Sequence, residues 1–202
     1  MKLYYSPGAC SLSPHIVMRE AGIPVELVKV DLQAKKTEQG ADFRAINSKG
    51  YVPTLELPDG QRLTEGPAIV QYLADQAPTR GLAPANGTVE RVRLQEWLNF
   101  ISTELHKQFS PLFDPACEGG LKARQIERLG TRLDWVSKQL GNRDYLMGSH
   151  FTVADAYLYT VLSWSGHVGI DLAKWPTLSA YSNRVGQRPQ VREALRAEGL
   201  LK

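Results

Sequence analysis

Cys10 is the residue of this chain best placed to do chemistry. It follows a short apolar strand and a Pro7-Gly8 turn, and it stands just ahead of an amphipathic helix starting near Ser13. First-turn N–H groups and the positive end of a helix dipole stabilise an anion, so a thiol there ionises more readily. Ser13 makes the tetrapeptide Cys-x-x-Ser, without the second sulfur of a redox Cys-x-x-Cys pair. Any partner sulfur must therefore arrive on a small molecule. The competing reading is a small apolar residue in a turn, because cysteines are often buried and inert.

Other polar residues stand at suggestive spacings. Asn99, Thr103 and His106 are spaced i, i+4, i+7, which puts them on one helical face beside the stripe of Leu94, Leu98, Ile101 and Leu105. Such a face suits a helix lining a cleft, and equally a solvated edge. In Tyr51-Val52-Pro53-Thr54 a proline directly precedes a strand. It is either an ordinary strand start or a cis bond that leaves the preceding N–H and C=O to pair with a peptide-like ligand. Glu65, before Gly66-Pro67, puts a carboxylate at a helix entrance, where it can cap the helix or hold a ligand ammonium. Thr152-Val-Ala-Asp155 matches a capping box and reads as a fold-building motif.

The elements that must position these residues change character along the chain. Leu3–Tyr5 reads as a strand, Ser13–Ala21 as a helix closed by Gly22, and Val25–Val30 as a strand with Val25 and Leu27 on one side. A short helix at Ala41–Asn47, a hairpin through Pro58-Asp59-Gly60, and a helix from Pro67 to Asp75 follow. This order, βαβ then α then ββα, is thioredoxin-like, with four strands in one sheet. Residues 78–87 form a Pro/Gly-rich linker between domains at 1–77 and 88–202. Beyond it the periodicity is helical, with segments over 121–140, 153–164, 178–185 and 191–198. The fold class is α+β thioredoxin-like followed by an all-α domain.

Composition narrows the function classes. A net charge of +3 with scattered basic residues argues against a nucleic-acid partner. Neither a signal peptide nor an apolar run long enough for a membrane is evident. Two cysteines, Cys10 and Cys117, fit a reducing compartment, so the expected location is cytoplasmic. His15, His106, His150 and His167 are far apart in sequence, and no metal site is expected.

Taken together, Tyr5-Ser-Pro-Gly-Ala-Cys10-Ser-Leu-Ser-Pro-His15, Gly50-Tyr-Val-Pro53, Leu63-Thr-Glu-Gly-Pro-Ala-Ile69, Trp97 to Lys107 and Thr152-Val-Ala-Asp155 resemble the bacterial beta-class cytosolic glutathione transferases. The resemblance spans nearly the whole chain. It implies a homodimer that conjugates glutathione, as co-substrate, to small hydrophobic electrophiles in xenobiotic detoxification. Cys10 and His106 would be catalytic, with Cys10 beside the glutathione sulfur. Val52, before a cis Pro53 and next to Tyr51, would pair with the cysteinyl backbone. Glu65 and Gly66 would hold the γ-glutamyl end, and Lys35 the glycine carboxylate. Asn99 and His106 would reach the thiol, while Thr103 and Glu104 would lie near the subunit boundary. Tyr5, Ser11, Phe109 and Trp164 would border the electrophile pocket, with Tyr5 and Ser11 as rival thiol activators. Two alternatives stand beside conjugation: a monothiol-glutaredoxin-like reductase using Cys10, and a non-catalytic binding or regulatory module.

Overall fold

Strand β1 (Lys2–Tyr5) buries Leu3 and Tyr4 towards opposite faces, so it must lie inside a sheet covered on both sides. The computed structural model, which describes residues 1–202, places it there. One compact unit comprises Met1–Ala83 together with Arg188–Lys202, and a second comprises Pro84–Gln187.

In the first unit the sheet order is β3-β2-β1-β4-β5. Strand β2 (Glu26–Asp31) runs parallel to β1, which requires the crossover helix α1 (Leu12–Ala21). Strands β4 (Thr54–Glu56) and β5 (Arg62–Thr64) are antiparallel to their neighbours. The fifth strand, β3 (Lys36–Thr37), is an addition to the four expected. It forms because the Asp31 carboxylate accepts the N–H groups of Gln33 (2.8 Å) and Ala34 (2.9 Å). Lys35 then turns through a φ of 55°, returning the chain against Val30 and Asp31.

Each face of the sheet has its own cover. Tyr4, Val28 and Val30 pack with Phe43 of α2 (Phe43–Ile46) and with Val52. The well-buried residues of β2 are thus Val28 and Val30, on the side opposite Val25 and Leu27. Leu3 and Leu55 face the other way, under α1 and α3 (Gly66–Asp75), which bury Ile16, Val17, Ile69, Val70 and Leu73. Fully burying one such side chain contributes roughly 1.5–3 kcal/mol.

The helical domain read from the sequence runs to residue 202, whereas residues 188–202 belong to the first unit. The C-terminal helix Pro189–Ala197 packs on α1. Arg188 grips Glu20 through two contacts of 2.6 and 2.8 Å. Glu198 is buried, with Oε1 2.9 Å from His15 Nδ1 and Oε2 accepting the Gly8 N–H at 2.9 Å. These buried charges partner groups far away in sequence, which periodicity cannot reveal.

The second unit is helical throughout. Helix α4 (Val89–Phe100) starts at Thr88, whose hydroxyl accepts the Arg91 N–H at 3.2 Å. A π-helical stretch, Ile101–His106, continues into α5 (Lys107–Phe109). Helices α6 (Gly119–Leu140), α7 (Val153–Leu162) and α8 (Pro176–Gly186) complete it. No helix of the chain is long and apolar enough to cross a membrane. Helix α7 is buried nearly all round, which makes its first turn an interior polar site. Asp155 Oδ2 accepts the Thr152 N–H (2.8 Å) and hydroxyl (2.9 Å), while Oδ1 accepts the Leu146 N–H (2.8 Å) and Tyr181 hydroxyl (2.9 Å). Burial pushes the Asp155 carboxyl upward, against the pull of these donors.

Replacing Asp155 by Ala removes the carboxylate acceptor of four donors, from Leu146, Thr152 and Tyr181, inside the helical unit. Asp155→Ala should therefore lower unfolding stability by about 3–5 kcal/mol, read from the midpoint of a urea transition. A loss below 1 kcal/mol would show that the network carries little of the stability.

Candidate functional site

Strand register gathers the first half of the site. Thr54 lies opposite Tyr4 on one side and Thr64 on the other. Antiparallel pairing then brings the exit of β1, the entrance of β4 and the exit of β5 to one edge of the sheet. The loops carrying Cys10, Val52-Pro53 and Glu65-Gly66 issue from those three points. A Cβ on Gly66 would lie 4.0 Å from Pro53 Cγ, which shows how near the last two are.

Cys10 sits half-buried in a turn closed by Ala9 N–H to Ser6 O (3.0 Å), with Gly8 at a φ of 71°. Its thiol donates to the Val52 carbonyl at 3.1 Å. Neither Cys10 nor Cys117 is in a disulfide. The Val52–Pro53 bond is cis, and the Val52 N–H has no acceptor within the chain. A thiol, a carbonyl and an open N–H thus stand side by side, the set needed to align one extended peptide unit carrying its own sulfur.

Two residues expected near the thiol as hydroxyl activators are placed otherwise. Ser11 is fully buried, and its hydroxyl is engaged by the Ser6 backbone, accepting the N–H at 3.1 Å and donating to the C=O at 3.3 Å. Tyr5 is buried beside the His15 ring on the face opposite Tyr4, and burial raises its phenol pKa. Strand alternation sends Tyr5 to the face opposite Tyr4, the one that α1 covers.

Charged groups surround the Val52 loop. Lys35 Nζ donates to Gly50 O at 3.1 Å and lies 5.9 Å from the centroid of the exposed Tyr51 ring. Glu65 holds a φ of 66°, uncommon for a residue with a side chain, and its carboxylate does not cap α3. Instead it accepts from Lys49 Nζ at 2.5 Å. The loop is organised by Asn47, which the sequence reading passed over. Its amide donates to Tyr51 O (2.8 Å) and Thr54 Oγ1 (3.1 Å), and its Oδ1 accepts the Lys49 N–H (3.2 Å). An asparagine just after a short helix, before Gly50 and a cis proline, was the available signal.

In the helical unit, His106 Nδ1 lies 2.7 Å from the Tyr157 hydroxyl, and its ring meets Trp164 edge-on at 4.9 Å. Phe109 is fully buried and supports Trp164 from 5.8 Å, so it is backing rather than pocket wall. The half-exposed Phe113, 5.9 Å from Trp164, is the more accessible aromatic and was not anticipated. Asn99 and Thr103 are exposed, and the Thr103 hydroxyl donates to Asn99 O at 3.1 Å. Glu104 pairs with Arg132 at 2.6 Å. The face predicted from 3.6-residue spacing is re-phased by the π-helical turn, a feature that often marks functional sites.

Comparison with known proteins matches residues 8–76 to the glutathione S-transferase N-terminal domain and residues 100–189 to the C-terminal domain. The chain is 47% identical to glutathione S-transferase GstA of Escherichia coli O157:H7, covering 99% of this chain and 100% of that one. Among solved structures, the ternary complex of BphK, a bacterial GST, matches with a TM-score of 0.97 and 60% identity over 99% and 100% of the two chains. A sphingomonad glutathione S-transferase complexed with glutathione matches with a TM-score of 0.95 and 52% identity, again over 99% and 100%. A beta-class enzyme of Sphingomonas chungbukensis matches with 0.96 and 48% over the whole of both chains.

The role of Asn47 gives a direct test. Asn47→Ala leaves the Tyr51 carbonyl and Thr54 hydroxyl short of a donor and should cost about 2–3 kcal/mol, measured by chemical denaturation. It should also speed proteolytic cleavage between residues 48 and 53, and unchanged cleavage there would show that the loop is held by other contacts.

Proposed function

Because the chain belongs to the glutathione S-transferase family, we propose that its site binds glutathione and conjugates it through its sulfur to small hydrophobic electrophiles. The observation that carries this reading is the open Val52 N–H beside its cis proline, within reach of the Cys10 loop. The cysteinyl unit of glutathione pairs its backbone with Val52, which sets the ligand's thiol beside Cys10. Glu65 takes the γ-glutamyl ammonium, the Gly66 N–H at the start of α3 faces that end, and Lys35 takes the glycine carboxylate. Tyr51 flanks the peptide. Asn99 and His106 are the helical unit's candidate polar groups, and Thr103 and Glu104 serve the subunit boundary of a homodimer.

The chemical task is to make a thiolate near neutral pH. A free thiol has a pKa near 8.5, and each unit of lowering corresponds to roughly 1.4 kcal/mol of differential stabilisation. The α1 N-terminus and the Cys10 thiol as a hydrogen-bond donor supply it. Nucleophilicity falls as pKa falls, so a moderate lowering is the useful one. The thiolate attacks the electrophilic carbon, the leaving group departs with its electron pair, and a thioether results. Trp164 and Phe113 offer apolar surface for the electrophile. Clearance of xenobiotics in the cytoplasm is the setting that fits two reduced cysteines.

The Cys-x-x-Ser arrangement favours a second activity at the same thiol. Cys10 thiolate attacks the glutathionyl sulfur of a mixed disulfide, expelling the other thiolate, which takes up a proton. A second glutathione thiolate then attacks the Cys10–glutathione disulfide, releasing oxidised glutathione and restoring Cys10.

Assays with an aryl halide and with a mixed disulfide separate the two roles. Cys10→Ala should abolish disulfide reduction and the glutathione adduct seen by intact mass, because a methyl group cannot exchange disulfides. Conjugation should persist at a reduced rate. Retained reductase activity would move the redox role to Cys117, and no turnover of either substrate by the unaltered protein would favour a binding module. For the dimer, light scattering at micromolar concentration should give about twice the 22.5 kDa chain mass, and a monomer would contradict it.

A further inference from the structure

Glu65 and Lys49 form an ion pair that fold stability does not explain. Lys49 Nζ lies 2.5 Å from Glu65 Oε1 and donates to Thr64 Oγ1 at 2.8 Å, with side-chain exposures of 43% for Lys49 and 71% for Glu65. Exposed pairs contribute about 0–1 kcal/mol. Yet both partners are held with care. Glu65 keeps a left-handed backbone at the N-terminal end of α3, and the backbone N–H of Lys49 is fastened to the buried Asn47 side chain. The other lysine beside the loop, Lys35 of the turn between β2 and β3, is directed to Gly50 O and the Tyr51 ring. Around Glu65, therefore, one negative and one positive charge stand together, both open to solvent.

A simple cation gains little from such a pair, because it must compete with Lys49 for the same carboxylate. A zwitterion is different. The α-amino and α-carboxylate groups of an amino-acid end lie on one carbon, spaced much as Lys49 Nζ and the Glu65 carboxylate are. Laid head to tail on the pair, its ammonium faces Glu65 and its carboxylate faces Lys49, so all four charges have opposite neighbours. We infer that Lys49 binds the α-carboxylate of the γ-glutamyl group, making the Glu65–Lys49 pair a receptor for a zwitterion rather than for an ammonium alone. This rests on the reading of Glu65 as the γ-glutamyl anchor and extends it to a specificity-determining residue.

Calorimetric titration of the full-length protein with three ligands tests it: glutathione, its glutaryl analogue lacking the α-amine, and its 4-aminobutanoyl analogue lacking the α-carboxylate. Lys49→Met should weaken glutathione about tenfold and the glutaryl analogue by a similar factor, while binding of the 4-aminobutanoyl analogue changes less than about twofold. Lys49→Arg, which keeps the charge, should retain most of the affinity for glutathione. Unchanged or tighter glutathione binding by Lys49→Met overturns the inference, since Lys49 would then be a competing counter-ion. Equal losses for glutathione and the 4-aminobutanoyl analogue overturn it too, because Lys49 would then act through Glu65 alone. Failure of the unaltered protein to bind glutathione removes the parent reading and the inference together. Binding by that protein with an indifferent Lys49→Met removes the inference only. Melting temperatures of both variants should match the unaltered protein, as expected for an exposed pair.

Discussion

The pairing of β4 between β1 and β5 is the constraint on which the first unit of the molecule depends. With Thr54 opposite Tyr4 and Thr64, three loops distant in sequence leave the sheet at one edge. A slip of one residue would exchange the faces of Leu55 and Thr54, both now completely buried, and put each into packing shaped for the other. Register and core therefore enforce each other. Val52 adds a local lock, since its side chain packs with Tyr4, Val28, Val30 and Phe43 beside the cis proline.

Carboxylates in this protein divide by burial into different kinds of work. Asp155 and Glu198 are buried and have their oxygens occupied by backbone N–H groups and a hydroxyl or imidazole. An unpartnered charge at those depths would cost several kcal/mol, so each holds distant segments in one arrangement. Glu198 ties the end of the chain to the turn that precedes Cys10. Glu65 is the opposite case. It is exposed, paired only with another exposed side chain, and set on a backbone that few residues with a side chain adopt. Low stabilising value combined with costly positioning is the pattern expected of a ligand group.

His106 shows how helix geometry modifies spacing arguments. Its place on α4 and the π-helical turn gives it a hydroxyl partner on α7 and an aromatic neighbour in Trp164, both contributed by a segment some fifty residues later. The imidazole is thereby fixed in orientation by Tyr157 and shielded on one edge by an indole. Those contacts distinguish it from a mobile surface side chain. Phe109, spaced one helical turn from His106, is turned inward by the same geometry.

Local signals in the sequence determined the order of elements, the Asp59-Gly60 hairpin turn, the closing Gly22, the capping box at Thr152–Asp155 and the motifs that mark the family. They also singled out Cys10, Val52-Pro53 and Glu65, because a cysteine before a helix, a proline before a strand and a carboxylate at a helix entrance each carry meaning within a few residues. Tertiary structure alone decided which groups meet. It paired Glu65 with Lys49, assigned Asn47 to the Val52 loop, engaged the Ser11 hydroxyl with the Ser6 backbone, and returned residues 188–202 to the first unit. The physical reason is range. Periodicity and capping act over one turn or one strand, whereas hydrogen bonds between loops depend on sheet register and on which faces are covered, and those are settled only when the whole chain packs.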